Sequence, residues 1–288
     1  MASTIPFRRV AIIGTGLIGG SFALALRRQF PEVSLVGFSR SGSAARAVAR
    51  GVVHEAAPDL ASAVRGSDLV YVALPIGASI DALATIAKNA GPHALVTDAG
   101  STKAAICRAA RDHFQGGALF LGAHPMAGKE QSGIDQADAD LFRGAPYVVM
   151  GTEATADPRA KEFVEIARAI GARPIWCDPD THDWAVGIVS HLPQLVAVAL
   201  ARVVQDETDE TGLPLSLAGT GLQDTLRLAG SPYTVWRDIL LTNTDNVSRA
   251  LDRLAQAVDY LRTHLASKDL EQEFAGANEL YKLLRKPS

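Results

Sequence analysis

The chain carries only two cysteines, Cys107 and Cys177, in 288 residues. They stand in unrelated helix-like and strand-like contexts, without zinc-site spacing or a disulfide framework, so they read as small buried apolar residues and no metal site is expected. Long hydrophobic runs are missing as well: no apolar stretch approaches the roughly 20 residues that cross a bilayer. The first apolar run is interrupted by Gly14, Gly16, Gly19 and Gly20, which makes it a strand and turn and the poorer candidate for a signal peptide. Neither sign of charge is in excess. The 28 basic and 31 acidic residues are mixed along the chain for a net charge of -3, leaving no basic stripe for nucleic acid and no polybasic end for a membrane surface. Internal repeats and low-complexity tracts are absent. The expectation is a cytoplasmic protein with no nucleic-acid and no membrane partner, open to a small anionic ligand.

What is present is an ordinary globular balance, 48% apolar and 20% charged, long enough for one large domain or two of moderate size. Strand-like runs at Val10–Ile13, Leu35–Phe38, Leu69–Leu74, Leu95–Thr97, Leu119–Leu121, Tyr147–Met150 and Pro174–Cys177 alternate with helical stretches. That rhythm predicts an α/β fold, a Rossmann-type doubly wound parallel sheet over residues 1–177. From Asp178 the strand signal disappears, and Trp184–Asp206 and Tyr233–Leu265 carry apolar residues at three- and four-residue spacing. Residues 178–288 are therefore expected to be all helical. Ser231-Pro232 reads as an N-cap and first-turn proline, and Leu213-Pro214 as another helix start. Pro193 deprives Val189 of its helical amide partner, which predicts a kink opening onto a cleft. Apolar positions run around much of each C-terminal helix, more than a small bundle core needs, so a homodimer through these helices is expected.

Gly14-Thr15-Gly16-Leu17-Ile18-Gly19 fits G-x-G-x-x-G, directly after a strand and at the start of a helix. The first glycine permits the tight turn, the second admits a pyrophosphate to the backbone, and the third lets helix pack on strand. A dinucleotide cofactor follows. An NAD site usually ends its second strand in Asp or Glu, whereas this strand ends Phe38-Ser39-Arg40, with Ser41 and Ser43 behind. Hydroxyls and a guanidinium suit a 2′-phosphate, so NADP is preferred over NAD. Leu74-Pro75-Ile76, at the end of another strand, is expected to form a further cofactor wall.

His124, in Gly122-Ala123-His124-Pro125-Met126-Ala127-Gly128, follows a short strand and reads as lying in a turn at a cleft, where an imidazole serves as acid or base near neutral pH. Ser101, in Asp98-Ala99-Gly100-Ser101-Thr102-Lys103, either points its hydroxyl toward the nicotinamide end or simply caps a helix. These two runs, followed by Ser190-His191-Leu192-Pro193, by Gly221-Leu222-Gln223-Asp224-Thr225-Leu226-Arg227 and by Trp236-Arg237-Asp238-Ile239, resemble in order and spacing the prephenate/arogenate (cyclohexadienyl) dehydrogenase family of tyrosine biosynthesis.

The resemblance covers nearly the whole chain. It implies oxidative decarboxylation: a hydride leaves C4 of a cyclohexadienyl ring, the C4 hydroxyl loses its proton, and the ring carboxylate departs as carbon dioxide. By the same resemblance His124 is the catalytic base, Ser101 orients it and the substrate, and Arg227, with Trp236 nearby, binds a substrate carboxylate. Arg227 could alternatively pair with Asp224 on its own helix. Glu130 and Lys129 read as a charged rim near Arg227. Ser190 and Gln194, four residues apart on one helix face, are expected to touch the substrate side chain. Many prephenate-preferring relatives have histidine where this chain has Gln194. His182 and His191 read as structural. Asp224 beside the side chain would favour the ammonium of arogenate, and the reading leans to prephenate. The glycine motif starts too early for a fused chorismate mutase, and no regulatory domain is expected, so any tyrosine inhibition would act at the active site. Two alternatives share the architecture: a β-hydroxyacid dehydrogenase, which needs a catalytic lysine, and a non-catalytic NADP-binding regulator.

Overall fold

The computed structural model describes residues 6–129 and 131–285. Six strands form one parallel sheet in the order β3-β2-β1-β4-β5-β6: β1 Arg9–Ile13, β2 Ser34–Phe38, β3 Glu55–Ala56, β4 Leu69–Val72, β5 Leu95–Asp98 and β6 Leu119–Leu121. The order reverses between β1 and β4, so a crevice opens beyond the carboxyl ends of those two strands. Helices α1 Leu17–Gln29, α2 Ser43–Ala49, α3 Leu60–Val64, α4 Ile76–Asn89 and α5 Ala104–His113 follow β1 to β5 in turn. Both faces of the sheet are covered, which is why β4 and β5 are buried along their whole length, and β1 and β2 along most of theirs, rather than on alternate residues. Val10 and Ile12 of β1 belong to the core on one face, Ala11 and Ile13 to that on the other.

One departure from the expected single sheet concerns the segment that contains His124. After β6 the chain passes Gly122, where a Cβ would collide with Cys107 Sγ and Met150 Cγ. It then enters β7 Ala123–Pro125, the first strand of a second, three-stranded sheet. There β7 runs antiparallel to β8 Pro146–Met150, which runs parallel to β9 Arg173–Cys177. His124 is thus held in a strand, paired with Val148, and not in a turn. The two sheets share a core. Phe22 of α1 stacks on Tyr71 of β4 at 3.8 Å between ring centroids, and the Tyr71 and Tyr147 hydroxyls meet at 3.0 Å. Helix α6 Pro158–Ala169 supplies Phe163, edge-on to Tyr147.

Beyond β9 the described chain is helical: α7 Pro179–Val186, α8 Leu192–Asp206, α9 Leu213–Ser216, α10 Thr220–Leu226, α11 Tyr233–Thr242, α12 Thr244–Thr263 and α13 Leu270–Leu284. Asp178 caps α7 by accepting from the Thr181 amide at 2.9 Å. The irregularity expected at Pro193 takes the form of a π-helical turn, Gly187–His191, which joins α7 to α8 without a break. The joined run Pro179–Asp206 is long and apolar enough to cross a membrane by length and composition. That corrects the expectation that no stretch reaches such a length. The Tyr233–Leu265 segment is two helices, because buried Asn243 turns its amide inward at the junction. Ser231 is not an N-cap: Pro232 holds that place, and the Ser231 hydroxyl accepts from Trp236 Nε1 at 2.9 Å.

The Phe22–Tyr71 stack joins helix to sheet at a fully buried site, so Phe22→Ala is expected to cost about 3–5 kcal/mol. Urea unfolding monitored by circular dichroism checks this; an unchanged midpoint would contradict it.

Candidate active site

A cavity of about 800 Å³ lies at the switch point, between the carboxyl ends of the parallel strands and the helices after β9. Its floor is the glycine turn. Gly14 has φ +97°, and a Cβ there would strike the Ala73 carbonyl. Gly19 is equally closed, since a Cβ would meet the Gly14 carbonyl. Gly16 differs: nothing lies within 4 Å of the position a Cβ would take, and Gly16, Leu17 and Ile18 line the cavity. The crowded glycines shape the turn while the uncrowded one leaves room beside the N-terminus of α1, where amides and dipole suit a phosphate. Leu74, Pro75 and Ile76 form the adjoining wall.

At the end of β2, next to this turn, Thr15 Oγ1 meets Ser43 Oγ at 2.8 Å, Ser43 donates to Ser39 at 2.8 Å, and Ser39 meets Ser41 at 2.9 Å. Arg40 is exposed in the same loop. Gly14 is tied to it through its amide, 2.8 Å from the Phe38 carbonyl.

His124 and Ser101 both line the cavity. Ser101 caps no helix. The role belongs to Asp183 of α7, whose carboxylate accepts from the Lys103 amide at 2.7 Å and the Ala104 amide at 2.9 Å. Lys103 is fully buried, paired with the equally buried Asp98 and donating to the Ala123 carbonyl at 2.9 Å. Asp98 also accepts from the amides of Gly100 at 2.8 Å and Ala123 at 3.1 Å. That set fixes the Ser101 loop and the residue before His124 against each other. It also withdraws Lys103 from the cavity, against its use as the lysine of a hydroxyacid dehydrogenase.

His124 is 8% exposed, and its Nδ1 lies 2.9 Å from Nε2 of buried His182. His182 Nδ1 in turn lies 2.8 Å from Asp183 Oδ1. Burial, with the neighbouring His182 ring, the Lys103 cation and His191, holds His124 well below the ordinary imidazole value of 6.5. The ring is neutral at physiological pH and suited to accept a proton. His191 is pushed down to about 4, chiefly by burial. Its Nδ1 lies 3.1 Å from Asn243 Nδ2, and its ring stands edge-on to Trp236.

The helical wall brings together Ser190, Gln194, Arg227 and Trp236, all on the cavity. Gln194 is 4% exposed, and Arg227 opens a short 3-10 turn, Arg227–Gly230. Asp238 of α11 reaches across to the Gly77 amide at 3.0 Å. That amide and the Arg237 guanidinium hold its carboxyl below the usual range. Asp224 is exposed on α10 and is not among the cavity-lining residues. Glu130 lies outside the described residues; Lys129 beside it lines the cavity and pairs with Asp138 at 3.0 Å. The sequence reading did not single out Asp183, Asn243 or the buried role of Lys103. The adjacency of His182 and Asp183 in the turn after Asp178 was the available signal.

Two family models match the chain: prephenate dehydrogenase, nucleotide-binding domain, over residues 22–176, and prephenate dehydrogenase, dimerization domain, over residues 178–285. The chain belongs to the prephenate dehydrogenase family. The prephenate dehydrogenase of Bacillus subtilis (strain 168) is 30% identical over 267 residues, 92% of this chain and 72% of that relative. Among solved structures, prephenate dehydrogenase from A. aeolicus in complex with hydroxyphenyl propionate and NAD+ superposes with a TM-score of 0.86 at 26% identity, covering 98% of this chain and 99% of that one. Synechocystis arogenate dehydrogenase gives a TM-score of 0.79 at 32% identity, covering 95% and 99%. Membership in this family brings a nicotinamide-binding domain and a helical dimerization domain, and the crevice at the switch point is where the first of these would hold its cofactor.

The two kinds of glycine separate folding from binding. Gly14→Ala is expected to lower the melting temperature, because Cβ meets backbone at positive φ. Gly16→Ala is expected to leave melting unchanged and to weaken dinucleotide binding about tenfold or more. Thermal melts alongside fluorescence titration with the dinucleotide check the pair.

Proposed function

We propose that this member of the prephenate dehydrogenase family oxidatively decarboxylates prephenate to 4-hydroxyphenylpyruvate, and arogenate to tyrosine, in tyrosine biosynthesis, with prephenate the leading substrate. The observation that carries the reading is a neutral, buried His124 on a cavity that it shares with Ser101, Arg227 and the glycine turn. Bound at that turn, a nicotinamide dinucleotide supplies the acceptor for the C4 hydride. His124 takes the proton of the C4 hydroxyl as the carbonyl forms. Ser101, uncommitted as a helix cap, orients that hydroxyl and the imidazole. Arg227 holds a substrate carboxylate with its paired donors, beside Trp236. Loss of the ring carboxylate as carbon dioxide returns its bonding electrons to the ring, and the proton on His124 passes back to the phenolate. Aromatisation drives the sequence forward. Ser190 and Gln194 are assigned to the side chain of the substrate. Glu130 is assigned to the charged rim, and Asp224, from its exposed place on α10, to a longer-range preference for an ammonium.

The finer assignments are part of the same proposal. NADP is preferred over NAD, supported by Ser39, Ser41 and Ser43 clustered with Thr15, by Arg40, and by the lack of an acid at the end of β2. The boundary between the domains falls at 177/178, supported by the capping of α7 at Asp178. Two copies pair through the C-terminal helices, whose exposed side carries Val189, Leu217, Leu241, Leu265, Phe274 and Leu284. Two free cysteines suit a reducing cytoplasm.

Turnover of prephenate and arogenate by the purified protein, with each dinucleotide, tests the reading. His124→Asn is expected to lower kcat about 100-fold or more with cofactor affinity intact; an active variant would remove His124 as the base. Because His124 titrates below 6.5, kcat/KM should stay level as pH falls to 6.5 and drop only further into acid; half-loss at or above 6.5 would contradict the buried neutral ring. Arg40→Ala is expected to lower the NADP-to-NAD ratio of kcat/KM about tenfold, and an unchanged ratio would return the site to NAD.

A further inference from the structure

Behind His124 the contacts order two protons when Asp183 is an ionised carboxylate and His182 a neutral ring. Asp183 accepts two backbone amides, from Lys103 and Ala104. An ionised carboxylate only accepts, so at the 2.8 Å contact with His182 Nδ1 the imidazole is the donor. A neutral His182 then presents a lone pair at Nε2. The 2.9 Å contact with His124 Nδ1 must therefore carry a proton that belongs to His124. What is left on His124 is a bare Nε2, the ring nitrogen with no partner among the described residues, on a side chain that lines the cavity. His182 and Asp183 are 2% and 1% exposed, so the order of donors is held in a buried environment.

We propose that Asp183, acting through His182, is a positioning pair that locks His124 in the Nδ1–H tautomer and aims its Nε2 lone pair at the substrate hydroxyl. The proposal rests on the reading of His124 as the base. Without an acceptor at Nδ1 the imidazole divides itself between two tautomers, and the Nε2–H form cannot take a proton. The same carboxylate caps α5 immediately after the Ser101 loop, so one side chain sets both groups that face the reacting hydroxyl. The link also crosses from the helical domain to the nucleotide-binding domain.

The test uses the full-length enzyme, labelled with nitrogen-15 in its histidines, and the variants His182→Leu and His182→Gln. The His124 resonance is assigned by its loss in His124→Asn. Above neutral pH, wild-type His124 is expected to show a protonated Nδ1 and a bare Nε2. His182→Leu is expected to lose about 100-fold in kcat, with KM for substrate and dinucleotide moved less than about threefold. Glutamine can accept from His124 with its oxygen and donate to Asp183 with its nitrogen, so His182→Gln should recover about tenfold of that loss. A wild-type His124 protonated at Nε2 overturns the proposal, and this spectrum decides even where His182→Leu does not fold. A kcat for His182→Leu within about threefold of wild type overturns it too, as do equal losses in the leucine and glutamine variants. Failure of the two readings is distinguishable. An active His124→Asn removes the base itself, whereas an inert His124→Asn beside a fully active His182→Leu removes only the lock.

Discussion

The ion pair of Lys103 with Asp98 is the contact on which the reacting side of the cavity depends. Both side chains are fully buried, a costly arrangement unless every remaining lone pair and proton finds a partner. Here they do. Asp98 accepts the amides of Gly100 and Ala123 besides the ammonium, and Lys103 donates to the Ala123 carbonyl as well. The bonds go to both sides of the gap between the parallel sheet and the second sheet, so the pair fixes where β7 begins relative to where β5 ends. His124 is the next residue along β7, and Ser101 lies between the two charged partners. Removing one partner would leave a buried charge unpaired, a loss of about 3–5 kcal/mol, and would free both elements at once.

Electrostatics and position come from the same side chain. The Lys103 cation contributes, after burial and the His182 ring, to keeping His124 unprotonated. The ammonium of Lys103 is fixed against Asp98 and the Ala123 carbonyl, away from the cavity, and its charge acts on His124 through the protein interior, where screening is weak.

The nucleotide-binding half was legible because its signals are local. A strand of four apolar residues, a glycine motif and an apolar helix follow one another within 20 positions, and the spacing alone places the cofactor turn. The second sheet was not, because β7 is three residues long and contains His124 and Pro125, which carry no alternation to read. Its partner β8 lies more than 20 residues on, and the pairing exists only because Gly122 lets the chain approach Cys107 and Met150. Burial was equally invisible for Lys103, a residue type almost never fully buried unless paired. Of the site, His124, Ser101, Ser190, Gln194, Arg227 and Trp236 were placed by motif and are gathered on one cavity. Asp183 and Asn243 were not, since an acid one residue after a histidine, or an asparagine inside a long helical pattern, looks like surface until the fold turns it inward.

The polar contacts between the two halves explain why a cavity at a domain junction can hold a precise geometry. His124 meets His182, the Lys103 and Ala104 amides meet Asp183, the Gly77 amide meets Asp238, and Thr102 meets Thr242 at 2.7 Å. Each joins a group in residues 1–177 to one beyond Asp178, and all four use residues on α7 or α11. Hydrogen bonds of this kind are directional, so a shift of the helices by even an ångström would misalign several together. Inter-domain interfaces within a chain are by default mobile; this one is pinned beside His124. The place of the His124 ring is therefore set by the packing of α7 against α5, and the helices after β9 shape the cavity as much as they serve assembly.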